Sequence, residues 1–214
     1  MLINHKDKWV FIHIPKTGGS SIRNALNPLY DLTGPLRWSR TIPVSNKENK
    51  KLEQHDNIIK LDQYLKDKHL SIDNYFKFCF VRNPWDRCVS MYHYFQHLVN
   101  IRPNPTAWRD KVIRNCPDFL SYIRSEQYFA PSLQVRQLID KDNTINIDYV
   151  GKIETFQQDF DNICDKIGIP RQKLSHKNKT NHKHYTEYYD DETRDLVAKR
   201  CARDIEAFGY KFGE

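Results

Sequence analysis

The sequence predicts an α/β fold: a P-loop-NTPase-like central parallel sheet flanked by helices. Three observations carry this. Two apolar runs of strand length, "WVFIHI" at 9–14 and "YFKFCFV" at 75–81, each run into a turn, "PKTGGSS" or "RNP". Each turn opens a segment with helical patterning. A further strand-to-helix passage follows near 146–167, and strands alternating with helices place parallel strands in one sheet. With 214 residues, no internal repeat and no linker, the chain reads as one domain, 1–214.

In chain order, Pro15 bounds the first strand, and Ser20 or Ser21 is placed to cap a helix "SIRNALNPL" that Pro28 interrupts. Residues 30–54 are polar and weakly patterned. Ile58, Ile59, Leu61 and Leu65 predict a helix near 56–67. After the second strand, Asn83 suits an N-cap and Pro84 the first helical position, and Trp85, Val89, Tyr92, Phe95 and Val99 form a stripe beyond them. Residues 102–117 read as loop, with short helices at 118–125 and 131–139 and a strand at 146–154. Phe156, Phe160, Ile163, Cys164 and Ile167 make a helix face ended by Gly168. A final helix runs from about Asp191 to a stop at Gly209.

Lys and Arg number 34 against 27 Asp and Glu, a net charge of +7 that favours anionic partners without choosing among them. The five cysteines are scattered, with neither zinc spacing nor a disulfide framework, so free buried thiols are expected. The first residues hold no apolar run long enough for a signal peptide or membrane anchor, which predicts a cytoplasmic chain. The basic residues show no aromatic-interleaved motif for nucleic acid.

The turn after the first strand has the composition of an anion loop. Gly18 and Gly19 let the backbone approach a ligand, the following helix start adds partial positive charge, Lys16 adds a full one, and Thr17, Ser20 and Ser21 bring hydroxyls. It is not a Walker A loop: Lys16 precedes the glycines, and no strand-end Asp stands ready for magnesium. An ordinary Gly-Gly turn remains open. In the second turn, Arg82 ends a strand and Ser90 lies two helical turns on, an arrangement able to cradle a phosphate. Alone, "RNPWDR" also fits a capped helix with a surface ion pair. Together the two turns imply a nucleotide with two separated anionic groups.

"FIHIPKTGGSSI" followed by "FKFCFVRNPWDRCVSMYHYF" resembles the sulfotransferases that use 3′-phosphoadenosine-5′-phosphosulfate (PAPS), in particular the carbohydrate branch that includes heparan and chondroitin enzymes. "YVGKIETFQQDFDNIC" is similar to the family's Gly-Arg-Phe-Glu segment, with Lys152 and Ile153 replacing Arg and Phe. "NKTNHKHYTEYYDDETRDLV" and "DIEAFGYKF" resemble its lid and last helix. The resemblance implies the sulfotransferase fold and a PAPS-dependent transfer to an acceptor hydroxyl, on a carbohydrate. It assigns Lys16, Thr17, Gly18, Gly19, Ser20 and Ser21 to the 5′-phosphosulfate and Arg82 and Ser90 to the 3′-phosphate. Thr180 and Lys183 match positions that close over the nucleotide.

Lys16 is placed to neutralise charge on the leaving phosphate, and the scheme needs no metal. His55 is the expected base. It matches a His of related sequences about twenty residues before the second strand, although "EQHDNIIKL" lacks the family's flanking Thr-Ala. A surface His is the other reading. His13 is expected to be buried and structural. His93 and His97 share a helix face, which fits a helix surface better than a metal site with no third ligand in view. The loops at 28–55 and 100–117 are candidates for shaping the acceptor site, and Arg37, Arg40, Lys47, Lys50 and Lys51 fit either an acidic sugar chain or a solvated face. Two rival functions stand: a non-catalytic basic nucleotide- or glycan-binding protein, and an ATP-dependent small-molecule kinase.

Overall fold

The computed structural model describes residues 1–26, 29, 52–129, 131–175 and 183–214. Its elements run β1 (Leu2–Asn4), β2 (Trp9–Ile12), α1 (Gly19–Leu26), α2 (Ile58–Lys66), β3 (Phe76–Val81), α3 (Pro84–Ile101), α4 (Trp108–Asn115), α5 (Phe119–Arg124), β4 (Tyr149–Lys152), α6 (Phe156–Ile167), α7 (Asp191–Arg200) and α8 (Ala202–Phe208). Two compact units result, Met1–Val81 with Gln134–Lys177 and Arg82–Leu133 with Asn178–Glu214.

The first unit holds a sheet of four strands in the order β1-β2-β3-β4. β2, β3 and β4 are parallel, with Phe11 opposite Phe78 and Phe80 opposite Gly151. β1 pairs antiparallel with β2, Leu2 opposite Phe11, and makes a hairpin that the sequence analysis did not predict. Every residue of β2 is buried, as expected of a strand inside a parallel sheet. Trp9, Phe11, Phe78 and Phe80 pack with Ile22 and Leu26 of α1 and Phe156, Phe160 and Ile163 of α6. Gly151 is required where β4 passes Phe80, because a Cβ there would stand 2.6 Å from its ring. β2 and β3 are parallel, so their carboxyl ends lie at the same end of the sheet, where open α/β sheets place their ligands.

The second unit is helical. Asn83 caps α3 by accepting from the Trp85 amide at 3.1 Å, and Pro84 occupies the first turn, as the sequence predicts. Trp85, Cys88, Val89 and Tyr92 of α3 pack with Tyr122 and Ile123 of α5 and Val197 of α7. Asp118 and Asp190 start α5 and α7 with capping boxes. Buried Arg87 donates to the Ser132 carbonyl at 2.8 Å.

Several boundaries differ from the sequence reading. Residues 108–115, read as loop, form α4; its buried apolar side is only Val112, too little to show as a period. The segment 131–139 holds one 3-10 turn at Val135–Gln137, and β4 is shorter than 146–154, passing into a 3-10 turn at Ile153–Thr155. The last helix is two helices, because Cys201 at φ −107° and ψ 18° leaves helical geometry. Gly168 and Gly209 end their helices in left-handed conformation, as expected. All five cysteines are free and buried. Among the described residues, no helix is long and apolar enough to cross a membrane.

Candidate active site

The anion loop connects β2 to α1 in the first unit. Lys16 adopts a positive φ of 68°, followed by Gly18 at 73°. For lysine that conformation costs roughly 1–2 kcal/mol, and such strain clusters at functional sites. Gly18 has two reasons to be glycine: its φ, and the ring of Phe156, whose Cζ would lie 2.4 Å from an added Cβ. At Gly19 an added Cβ would stand 1.9 Å from Nε2 of His13, so the buried imidazole sits directly against the start of α1.

The helix begins at Gly19, so Ser20 and Ser21 lie inside its first turn instead of capping it. The Gly18 carbonyl accepts from the amides of Ser21 at 2.9 Å and Ile22 at 3.2 Å. Ser21 Oγ donates to the Ser175 carbonyl at 2.7 Å, and Thr17 Oγ1 donates to the Ile14 carbonyl at 2.9 Å. A hydroxyl has one proton, so these two shape the loop. Ser20 is exposed and Lys16 half-buried. The amides of Gly19 and Ser20, the first two of α1, precede any intrahelical acceptor. The resulting donor set contains a lysine ammonium, a serine hydroxyl and helix-start amides, with no carboxylate among residues 15–21. That chemistry fits a phosphate or phosphosulfate.

His55, chosen from sequence as the base, lies beside this loop. Its ring centroid is 4.6 Å from that of His13, with the planes at 59°. His55 is exposed, and its Nδ1 lies 2.9 Å from the His13 carbonyl oxygen. Gln54 Nε2 lies 2.9 Å from Nδ1 of His13. As expected, His13 is buried and bonded; burial first, with His55 and Arg23 adding to it, holds its pKa well below the ordinary imidazole value. The role of Gln54 escaped the sequence analysis, since no periodicity marks a contact across 41 residues.

In the second unit, Arg82 precedes the α3 cap. Its Nε and Nη2 donate to the two carboxylate oxygens of Asp86 at 2.6 and 2.9 Å, the i,i+4 ion pair that "RNPWDR" left open as an alternative. The pair is mostly shielded from solvent. That edge of the guanidinium is engaged by Asp86, as in the capped-helix reading of this turn. Ser90 is buried on α3. Lys183 is exposed and 3.6 Å from Glu187. Thr180 lies outside the described residues, as do Arg37, Arg40, Lys47, Lys50 and Lys51. His93 packs edge-on against Tyr188, and no group of three metal-ligating side chains occurs among the described residues.

Comparison with known proteins bears on the family of the chain. The model of the sulfotransferase family matches residues 1–211. The chain is 24% identical to human carbohydrate sulfotransferase 9 across 95% of its own length, and spans 47% of that longer protein. It is also 28% identical, over 102 residues, to an uncharacterized protein of Archaeoglobus fulgidus, covering 47% of this chain and 73% of that one. With a family match over residues 1–211 and a mixed α/β sheet flanked by helices, this chain belongs to the sulfotransferase family.

Proposed function

We propose that the chain, acting as one sulfotransferase domain, transfers a sulfuryl group from PAPS to an acceptor hydroxyl on a carbohydrate. The observation that carries this reading is the placement of His55 beside the loop of Lys16 and the α1 start. The acceptor class follows the name of the human relative and the basic charge of the chain.

In this reading the loop Lys16, Thr17, Gly18, Gly19, Ser20 and Ser21 holds the 5′-phosphosulfate. Lys16 and Ser20 are the direct side-chain donors, and Thr17 and Ser21 keep the loop in shape. Arg82 and Ser90 take the 3′-phosphate, and Thr180 and Lys183 close over the nucleotide. When bound, PAPS supplies the sulfuryl group, whose bond to the 5′-phosphate oxygen breaks as the acceptor oxygen bonds to sulfur. His55 Nε2 takes the proton from the acceptor hydroxyl. The Lys16 ammonium neutralises charge growing on the phosphate side.

The test is calorimetric titration with 3′-phosphoadenosine-5′-phosphate, AMP and ATP, without magnesium, on wild type and Arg82→Ala. Binding should require the 3′-phosphate and weaken in the variant by roughly 10- to 100-fold, as expected when a charged hydrogen-bonding partner worth about 1.5–3 kcal/mol is removed. Preference for ATP, or a magnesium requirement, would favour a kinase. Tight binding without PAPS-dependent turnover on any hydroxyl acceptor would favour a binding protein.

A further inference from the structure

We propose that the His13 backbone carbonyl fixes the tautomer of His55, leaving His55 Nε2 as the proton acceptor, and that Gln54 is a positioning residue that keeps the neighbouring His13 ring neutral so that His55 takes the proton. The inference rests on the reading of His55 as the base and adds how the fold prepares it. Two contacts define the pattern, because in each the partner atom can play only one role. The His13 carbonyl oxygen can only accept, so the 2.9 Å contact makes His55 Nδ1 a donor. In neutral His55 the lone pair therefore sits on Nε2. The Gln54 amide nitrogen can only donate, so its 2.9 Å contact makes His13 Nδ1 an acceptor and puts the proton of neutral His13 on Nε2.

Burial decides which ring takes an additional proton. The two centroids are 4.6 Å apart, where two cations repel strongly. His13 is 5% exposed, with Phe11 stacked at 5.6 Å and Gly19 against its Nε2 edge. His55 is exposed. A proton arriving at the pair therefore goes to His55, and His13 stays neutral.

The charged groups around the pair support this assignment. Arg23 acts on His13 electrostatically and opposes a cation on it. Asp56 accepts from the Glu53 amide at 2.6 Å and pairs with Lys60 at 2.7 Å, which fixes the turn that presents Gln54 and His55. Glu53 is exposed on that turn.

The test uses the full chain with 15N-labelled histidine, followed by long-range 1H–15N correlation between pH 8 and 5.5. Expected spectra show His55 protonated on Nδ1 and His13 on Nε2 at high pH, with only His55 titrating. In Gln54→Glu a carboxylate faces His13 Nδ1. His13 should then become cationic within this range, and the His55 midpoint should fall by about one pH unit. Gln54→Leu, which removes the donor without adding charge, should give His13 a mixture of tautomers. A purely structural Gln54 would not change which ring takes the proton.

His55 protonated on Nε2, His13 protonated on Nδ1 in wild type, or unchanged patterns in both variants would overturn the inference. PAPS-dependent turnover by His55→Ala is measured alongside. Full activity there removes the base reading while the protonation pattern of the two rings stands on the spectra.

Discussion

Gly18→Ala offers a sharp test of how the anion loop is held. Two penalties apply. The first is conformational: φ is +73°, where an L side chain costs roughly 1–2 kcal/mol. The second is steric. The new Cβ would stand 2.4 Å from Phe156 Cζ and 3.0 Å from Ile153 Cδ1. Phe156 cannot step aside cheaply, because it is buried and packed edge-on to Phe80 at 4.9 Å. Overpacking of this kind costs about 1–3 kcal/mol.

The sum is about 2–5 kcal/mol, a fall in Tm of roughly 4–20 °C for a chain of this size. Gly168→Ala is the internal control. Its φ is nearly the same, +72°, and nothing lies within 4 Å of the added Cβ, so only the conformational part applies. Thermal and urea unfolding of both variants, followed by circular dichroism without nucleotide, measures the difference. If Gly18→Ala is no less stable than Gly168→Ala, the Phe156 contact does not constrain the loop and the steric reasoning is wrong.

Two further outcomes are expected. Burial keeps His13 neutral in the folded protein, so its folded pKa lies below the unfolded value near 6.5. Its contribution is complete above that pH; below it the unfolded chain binds a proton that the folded one refuses. Urea unfolding between pH 7.5 and 5.5 should therefore show wild type losing stability towards acid more steeply than His13→Gln, with a difference in slope approaching 1.4 kcal/mol per pH unit; equal slopes would contradict the buried neutral imidazole. The five thiols are buried, and burial raises the pKa of all five, pushing Cys201 up to about 12. Ellman's reagent at pH 8 should therefore titrate them slowly in the native protein and at once in denaturant.

Much of the fold was legible because the sequence punctuates it strongly. Pro15 and Gly18-Gly19 mark the end of β2, and Asn83-Pro84 mark the start of α3. These residues set backbone geometry locally, so their reading needs no knowledge of tertiary contacts. β1 was missed because three residues followed by Lys6-Asp7-Lys8 carry no period, and the strand exists through pairing with β2. α4 was missed because burial of Val112 against the second unit's core, and not an amphipathic stripe, defines it.

The site divides in the same way. The loop residues could be chosen from composition, whereas the meeting of His13 with Gln54 and His55 spans 41 and 42 residues and arises only on folding. The hydroxyls of Thr17 and Ser21 looked equivalent to that of Ser20 in sequence. Only the acceptors at Ile14 and Ser175 show that Thr17 and Ser21 are engaged within the fold. Asp86, four residues beyond Arg82, was readable in principle from the i,i+4 rule.

The parallel sheet also imposes an order on synthesis. β2 can pair with its neighbour β1 at once but meets its parallel partner late: Trp9 pairs with Phe76, and Phe78 in turn with Tyr149. Each pairing closes a loop of more than sixty residues, which slows folding far more than it changes the final stability. While a ribosome extends the chain, the segment carrying Lys16 and Gly18 waits, with its apolar strand uncovered, until α6 supplies Phe156 and Phe160. The loop of residues 15–21 precedes β3, β4 and α6 in the chain, yet its packing against Phe156 is complete only after α6 has formed. A nascent chain stopped before residue 149 would present β3 as an open edge, a template for pairing with other chains.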